Sequence, residues 1–321
     1  MSALSRIVRR RTFVFALGLT VVLLVANVIA LPAFGKPSTW ASTLTLFAPF
    51  AILAMASTPA VLSGGGGLDL SIGPLANLIN IILVLHFLGT SVGSPWIAIP
   101  LVLIIGAAIG VFNGVAIAVL RYPPVIATLC VYFIIGGVNM ILVAAPVTAP
   151  TSWPATLAGS IGPIPGAVFT IGPPLLLWIA IRRTPFYDML LAVGGNDAAA
   201  YSAAVDVTRV RIIAYGLGGL IAAVGGIALT ALTQSADSTL GPSYTLVALA
   251  AVVFGGSPLG GGRGGLLGSI FGAASIYLMQ NLLSALNVSS LWIQVLYGGM
   301  LLIGAIFGSR VARPLPAAAA A

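Results

Sequence analysis

The chain has 321 residues, of which 60% are hydrophobic and only 6% are charged, and its formal net charge is +8. A soluble domain carries about 25% charged residues because its surface faces water, so this composition excludes a soluble globular protein and predicts an integral membrane protein. The sparse basic residues form no face interleaved with aromatic residues, so a nucleic-acid-binding protein is not expected.

Ten apolar runs are predicted to cross the membrane as helices. About 20 apolar residues span the hydrocarbon core, and in lipid the backbone is satisfied only by helices or closed barrels. The first run follows a basic start but is too long for the apolar part of a cleaved signal peptide, so we expect it to remain as a helix. In chain order, the runs are approximately 13–31, 44–62, 68–87, 97–120, 125–143, 167–181, 212–232, 240–254, 266–286 and 291–307. The predicted fold is therefore all-α, with a single transmembrane domain over residues 1–321.

The basic residues predict the orientation of these helices. If the N-terminus is cytoplasmic and the chain crosses ten times, Lys36 is the only one of the 13 basic residues that falls outside. Because cytoplasmic connections carry an excess of Lys and Arg, both ends of the chain are predicted to lie in the cytoplasm. The longest cytoplasmic connection then runs from about residue 184 to 210, and the uncharged, proline-rich connection at 144–166 lies outside.

Residues that could carry catalysis or hold a metal are scarce. The chain has one cysteine, Cys130, and one histidine, His86. Cys130 lies in an apolar run and is predicted to be a buried, inert thiol, so no disulfide framework is expected. No Cys/His cluster has metal-ligand spacing, and a Ser-His-acid set cannot be assembled convincingly around one histidine. We therefore predict neither an enzyme nor a metal site.

The segment GGNDAAAYSAAVDVTRVR, residues 194–211, is a polar and alanine-rich interruption between two apolar runs. Of the five acidic residues in the chain, Asp188, Asp197 and Asp206 lie in it or just before it. Asn196 or Asp197 can cap a helix that the following alanines propagate. The pattern predicts a short amphipathic helix lying under the membrane, although its composition is equally typical of a solvated connector.

Three segments resemble motifs of the permease subunits of ribose-type ABC importers. The sequence AVGGNDAAAYSAAVDVTRVRIIAYGLGGLIAAVGGI resembles their cytoplasmic loop and the helix that follows it. LSGGGGLDLSIGPL resembles their GGIDLSVG motif, and LAAVVFGGSPLGGGRGGLLGSIFGA resembles their AVVxGGxxxxGGxG segment. The three segments occur in the family's order and at fitting distances, and together they cover the chain from about the second predicted span to the last.

The resemblance implies a transmembrane subunit that does not itself hydrolyse ATP and needs no cofactor of its own. Two permease chains, identical or different, would form the pore in the lipid of a bacterial inner membrane. Two cytoplasmic ATP-binding subunits would bind ATP and Mg²⁺, and an extracytoplasmic solute-binding protein would deliver the solute.

On this resemblance the polar segment is the coupling helix that docks on the ATP-binding subunits. Several residues correspond to the start of this helix in the family, to its alanine-rich turn and to the positions just after the turn. They are Gly194, Gly195, Asn196, Asp197, Ala198, Ala199, Ala200, Tyr201 and Asp206. Relatives commonly carry Arg or Lys in place of Tyr201, which leaves the docking chemistry open. They also commonly carry Glu and Asp in place of Thr245 and Val247, which leaves the solute class open.

Two glycine-rich segments are predicted to have structural or gating roles. Their marked residues are Gly66, Gly67, Asp69, Ser71 and Gly73 in the first segment, and Gly255, Gly256, Gly261 and Gly262 in the second. The first segment lacks the Lys-Ser/Thr ending of a phosphate-binding loop. Asp69 either caps a helix N-terminus, where carboxylates are favourable, or gates the path, since ionisable groups within a membrane are costly and functional by default. Residues 254–265 form either a packed loop or a hinge that contacts the ATPase. Both segments join an inward-running span to an outward-running one, which hints at an internal duplication.

The side-chain amides within the predicted spans are the candidates for the solute path. These are Asn77, Asn80, Asn113, Asn139 and Asn281. Amides hydrogen-bond hydroxylated ligands and also hold helices together, and for each residue both roles are open. An ion-coupled carrier needs ionisable groups in the membrane, and this chain offers almost none. We therefore predict permeation of a small neutral solute, most consistent with a monosaccharide. The alternatives are a nucleoside, a polyol, a branched-chain amino acid, or an ATP-independent channel.

Overall fold

The computed structural model describes residues 13–289, 292, 295, 297–299 and 302. Within them the apolar runs fold into helices, several of which begin at a proline, the residue that suits the first helical position. The helices are α1 (Val14–Ala30), α2 (Trp40–Leu62), α3 (Ile72–Ile82), α4 (Pro95–Ala118), α5 (Pro124–Leu142), α6 (Trp153–Ala158), α7 (Val168–Ile181), α8 (Pro185–Gly195), α9 (Asp197–Ser202), α10 (Val207–Thr233), α11 (Gly241–Phe254) and α12 (Leu266–Ala285).

Nine of these helices coincide with the first nine predicted spans. Among the described residues, five helices are long and apolar enough to cross a membrane, namely α2 with the short turn before it, α4, α5, α10 and α12. The others, α1, α3 with its π-helical extension, α7 and α11, are shorter apolar helices. The all-α, multi-pass fold is therefore confirmed. Most of the tenth predicted span, 291–307, lies outside the described residues, and the orientation in the membrane stays a prediction.

The connections between helices gather at two opposite ends of α10, which at 27 residues is about 40 Å long. At one end the backbone N–H of Gly262 donates to the carbonyl of Leu62 at 3.1 Å, which joins two connections. At the other end strands β1 (Val147–Thr148) and β4 (Ser235–Ala236) pair, and β2 (Ser160–Ile161) pairs with β3 (Ile164–Pro165) close by in sequence. The connections predicted to be cytoplasmic thus share one end, and those predicted to be external share the other.

Helices α2 and α10 form the centre of the bundle, whereas α4 and α5 lie at its edge. About four fifths of the most apolar window is buried in α2 (83%) and α10 (78%), against 39% in α4 and 28% in α5. Cys130 in α5 is exposed, so its predicted burial was wrong. The reason is that α5 turns much of its surface away from the rest of the chain, where lipid or a second subunit provides the apolar surroundings.

Glycines allow α4 and α10 to pack backbone against backbone. A Cβ atom at Gly106 would lie 2.5 Å from the carbonyl oxygen of Gly219, and one at Gly110 would lie 3.1 Å from the Cα atom of Gly216. Small residues spaced four apart permit this close approach in membranes, where no hydrophobic effect drives helices together. This contact fixes α4 against the centre of the bundle.

Two segments of the chain share the same order of elements, as in an internal duplication. The sequence offset that relates Asp69 to Asp237 also aligns the bounds of α2, α3 and α4 with those of α10, α11 and α12. The duplication therefore pairs the DLSIGP turn with a DSTLGP turn that the sequence analysis did not recognise. It does not pair the two glycine-rich connections, as had been suggested by their shared position between spans.

Candidate functional site

Three connections meet in a glycine cluster, which we define as Gly64, Gly194, Gly195, Gly261 and Gly262. A Cβ atom at Gly64 would lie 2.6 Å from the Cα atom of Gly194, and one at Gly262 would lie 2.5 Å from that of Gly195. Gly64 and Gly262 also have φ values of +70° and +69°, which favour glycine. The three motifs that carry the family resemblance are thus in direct backbone contact.

The polar segment forms the short helix α9, as predicted. Asn196 is its N-cap, and the side-chain oxygen of Asn196 accepts a hydrogen bond from the backbone N–H of Ala199 at 3.0 Å. Ala200 is buried, whereas Tyr201 is 76% exposed. The helix therefore presents an aromatic side chain to the surroundings at the end of the bundle that carries the glycine cluster.

Gly194 and Gly195 do not begin α9 but end the preceding helix, α8. Helix α8 was not predicted from the sequence. Its signal is the pair Thr184 and Pro185, which occupy the N-cap and the first helical position. The GG pair thus ends a helix and contacts Gly64 and Gly262 in the glycine cluster, and it does not open a helix.

Arg211 ties α9 to the first glycine-rich connection. Its Nη2 atom lies 3.1 Å from Oδ2 of Asp197, and its side chain is only 18% exposed. A Cβ atom at Gly65 would lie 2.7 Å from the same nitrogen. The sequence analysis did not single out Arg211 or Gly65, because the contact joins residues far apart in the chain.

The other residues predicted to act in coupling or in the glycine-rich segments lie outside the contacts described above. Asp206 caps α10 by accepting from the backbone N–H of Arg209 at 3.0 Å, on the exposed surface. A Cβ atom at Gly66 would meet no atom within 4 Å, whereas one at Gly255 would lie 2.8 Å from the backbone nitrogen of Ser269 in α12. Gly256 has a φ of +87°. Gly67 folds back on Gly64, with its N–H donating to that carbonyl at 3.0 Å.

Asp69 is fully buried and organises the turn before α3. Its Oδ1 atom accepts hydrogen bonds from the backbone N–H and the hydroxyl of Ser71, at 3.0 Å and 2.6 Å. The amide nitrogen of Asn113 lies 3.4 Å from the same oxygen and donates to the Ser71 hydroxyl at 2.8 Å. Asp69 thus holds the N-cap residue of α3 instead of capping the helix itself. Its gating role stays a prediction.

The second copy of this turn has the same hydrogen bonds. Oδ1 of Asp237 accepts from the backbone N–H and the hydroxyl of Thr239, both at 2.8 Å. The two turns also pack together, since a Cβ atom at Gly241 would lie 3.0 Å from the Cα atom of Pro74. We call this arrangement the paired turns, residues 69–74 and 237–242.

Each helix that follows a turn is fastened to the opposite turn. The amide nitrogen of Asn77 in α3 donates to the carbonyl of Asp237 at 2.9 Å. The hydroxyl of Thr245 in α11, the equivalent position, donates to the carbonyl of Leu70 at 3.2 Å. Thr245 therefore has a structural task in this chain at a position where the family commonly carries an acid.

Removal of Asp69 is expected to destabilise the protein more than removal of its counterpart Asp237. Asp69→Ala strands the buried backbone N–H and hydroxyl donors of Ser71, and each unsatisfied buried group costs about 1–3 kcal/mol. Asp237 is partly exposed, so in Asp237→Ala water replaces the lost acceptor. Thermal unfolding of the two variants in detergent would measure the difference. Equal shifts in the unfolding temperature would contradict this account.

Four of the five predicted amides join helices through their nitrogen while their oxygen stays unpaired. Besides Asn77 and Asn113, the Nδ2 atom of Asn139 donates to the carbonyl of Pro74 at 3.0 Å, and that of Asn80 lies 3.3 Å from the hydroxyl of Thr233. Within the described part of the chain, the Oδ1 atoms of these four buried residues have no hydrogen-bond partner. The amide nitrogen thus holds helices together, while the amide oxygen remains available to a solute. Both roles that the sequence predicted for these residues therefore stay open.

Asn281 is separate from this group. Its amide nitrogen donates at 2.8 Å to the side-chain oxygen of Asn27, and the amide nitrogen of Asn27 donates to the carbonyls of Leu23 and Leu278. This network joins α1 to α12. Over the residues that the structure describes, no group of three or more His, Cys, Asp or Glu side chains could hold a metal ion.

The fold and the site together define an all-α, multi-pass membrane protein whose inter-helix connections converge beside a short exposed helix. Residues 39–305 match the family described as branched-chain amino acid transport system / permease component, and the chain belongs to this family.

Individual relatives support the same assignment. The ribose import permease of Bacillus subtilis is 34% identical over 300 residues, which cover 92% of this chain and 91% of the relative. That of Escherichia coli K12 is 33% identical over 267 residues, covering 81% and 82%. The fructose import permease of Rhizobium meliloti is 32% identical over 299 residues, covering 87% and 82%. No solved structure matches the chain significantly. The chain is thus a transmembrane permease subunit of an ABC importer, and the resemblance found in the sequence is confirmed.

Proposed function

We propose that this permease imports a monosaccharide across a bacterial inner membrane. It would work as a pair of permease chains with two ATP-binding subunits, which supply ATP and Mg²⁺, and with an extracytoplasmic solute-binding protein. The relatives named for ribose and fructose import support this solute class. The permease itself would make and break no covalent bond.

The observation that carries the proposal is the attachment of α9 to the glycine cluster. Asp197 in α9 pairs with Arg211, and the residues just before α9 touch the connections that end α2 and precede α12. Backbone atoms in contact cannot yield as side chains do, and packed interfaces switch between discrete arrangements. A displacement of α9 by a docked ATPase would therefore move several helices at once.

The scarcity of buried charged groups supports a neutral solute and an energy source outside the permease chain. Among the described residues, Asp69 is the fully buried acid, and its oxygen is occupied by Ser71 and Asn113. Ion-coupled carriers place ionisable groups in the membrane to bind the coupling ion. Here ATP-binding partners would supply the energy in place of an ion gradient.

The first experiment is capture of the detergent-solubilised permease from its native membrane, followed by identification of the proteins bound to it. We expect an ATP-binding subunit and a solute-binding protein. Asp197→Arg combined with Tyr201→Glu should lose the ATP-binding subunit, because it breaks the pair with Arg211 and places a charge on the exposed face of α9. Asp188→Arg on the exposed surface of α8, which makes the same charge change as Asp197→Arg alone, is the control.

Three outcomes would contradict the proposal in whole or in part. A double variant that binds the ATPase and transports like the unaltered chain would remove α9 from the docking site. Solute uptake into vesicles that contain the permease alone, without ATP, would indicate a channel. A copurified binding protein that binds a nucleoside, a polyol or leucine, and no monosaccharide, would change the solute class.

A further inference from the structure

The paired turns border a cavity of about 510 Å³ between α5 and the N-termini of α3 and α11. Its lining includes Pro74 and Gly241 from the turns and Tyr132, Gly137 and Asn139 from α5. This volume falls in the range of small-molecule sites, about 300–1,000 Å³. The cavity therefore has room for a small solute.

Both helices that start at this cavity are short. With its π-helical extension α3 covers Ile72–Phe87, and α11 has 14 residues; both are shorter than the about 20 residues that span the hydrocarbon core. Each starts at one of the two duplicated turns. In transporters built from repeats, a pair of short or interrupted helices in corresponding positions of the two halves marks the solute site. The duplication and the cavity thus point independently to the same place.

Asn139 provides a polar group that faces this cavity. The residue is 1% exposed, and its amide nitrogen is occupied by the carbonyl of Pro74. Its Oδ1 atom has no partner in the described part of the structure. A buried acceptor without a donor is unfavourable. The oxygen is itself buried, so a hydroxyl group of a bound solute would satisfy it after a small shift of the surrounding side chains.

The rest of the lining suits a neutral, hydroxylated ring. Every lining residue is uncharged, so the site offers no charged side chain to pair with the ammonium and carboxylate groups of an amino acid. Thr239 adds a hydroxyl whose hydrogen points to Asp237, which leaves its lone pairs for a solute donor. The ring of Tyr132 offers an apolar face to the C–H groups of a sugar.

We propose that this cavity is a monosaccharide-binding site on the translocation path, with the side-chain oxygen of Asn139 accepting a hydrogen bond from a sugar hydroxyl. This inference rests on the proposed function and adds the location of the solute to it. The cavity opens along the exposed face of α5, where Phe133 is 66% and Met140 is 68% exposed. A second permease chain on this face would enclose it.

The proposal is tested by filling the cavity with a bulky side chain in the complete transporter. A Cβ atom at Gly137 would meet no atom within 4 Å, so Gly137→Phe fills the cavity without displacing its neighbours. Gly172→Phe, at an equally open glycine of α7, is the matched control. The complex with its ATPase and binding protein is placed in liposomes with radiolabelled ribose and, in parallel, fructose.

We expect Gly137→Phe to lower the amount of sugar transported per ATP hydrolysed at least about tenfold, which is the effect of a loss of 1.4 kcal/mol in a rate. ATP hydrolysis stimulated by the binding protein should persist, which shows that the complex is assembled. Asn139→Leu should lower the same ratio. Gly172→Phe should behave like the unaltered chain.

A second measurement does not depend on a bulky side chain. Gly137→Cys is made in a Cys130→Ser chain, since Cys130 is the only cysteine of the sequence. Ribose or fructose should slow its reaction with a small methanethiosulfonate reagent, and leucine should not. Protection by leucine alone would overturn the monosaccharide assignment of the cavity.

The outcomes separate the two proposals. If the unaltered transporter takes up no monosaccharide, the proposed function fails. If it takes up sugar, but Gly137→Phe does so at the same ratio to ATP and no sugar protects the cysteine, the cavity is filled by lipid or by the second chain. The cavity proposal alone is then overturned.

Discussion

Gly194→Ala is expected to stop ATP-driven solute uptake. A Cβ atom at this position would collide with the carbonyl oxygen of Leu62 and would lie 3.0 Å from the Cα atom of Gly262. Both neighbours are backbone, so no side-chain rotation relieves the collision. Overpacking of this kind costs about 1–3 kcal/mol, which lowers a rate by about fivefold to about 160-fold when the cost falls on the active state.

The comparison for this prediction is Gly260→Ala. Gly260 lies in the same connection as Gly262, but a Cβ atom there would meet no atom within 4 Å. Uptake and ATP hydrolysis are measured together in liposomes that contain the complete transporter. Gly194→Ala should lose uptake while Gly260→Ala keeps it. Equal uptake by the two variants would show that the glycine cluster does not transmit movement from α9.

Gly110→Val is expected to give the largest loss of stability. A Cβ atom here would collide with the carbonyl oxygen of Tyr215 and would lie 3.1 Å from the Cα atom of Gly216. Valine would therefore push α4 away from α10, the helix at the centre of the bundle. We expect the free energy of unfolding to fall by at least about 3 kcal/mol, the upper end of the usual range for overpacking.

Gly172→Val separates the packing effect from the helix propensity of valine. Gly172 lies within α7, and a Cβ atom there would meet no atom within 4 Å. The difference in helix propensity between Gly and Val is the same at both sites. Unfolding of detergent-solubilised protein, followed by its helical circular dichroism, would compare them. Similar unfolding temperatures for the two variants would contradict the close packing of α4 and α10.

The elements that were predicted correctly are those whose cause is local in sequence. A run of about 20 apolar residues has few structures open to it in lipid, so nine spans are found where the hydropathy places them. The N-cap at Asn196 is likewise decided by a side chain and a backbone N–H three residues apart. Helix α8 was missed because it is too short to be predicted as a span, and the Thr184-Pro185 start was overlooked.

The candidate site was predicted only in part. The family motifs identified the three segments that meet in the glycine cluster, but they did not identify Arg211 or Gly64 as contact residues. The amides were found by their rarity among apolar residues. Their grouping was not, since Asn281 pairs with Asn27, whereas Asn139 faces the cavity beside Pro74. Local sequence patterns do not predict contacts between residues that are far apart in the chain.

By itself, the sequence determined that this protein is a multi-pass membrane permease, because 6% charged residues cannot cover a water-facing surface and because its motifs belong to one family. The tertiary structure decided which residues act together. It joined Asp197 to Arg211, three glycine-rich connections to one another, and the two duplicated turns around one cavity. The physical reason is that a glycine or an amide has no fixed role until a neighbour approaches it, and only the folded chain sets which neighbour that is.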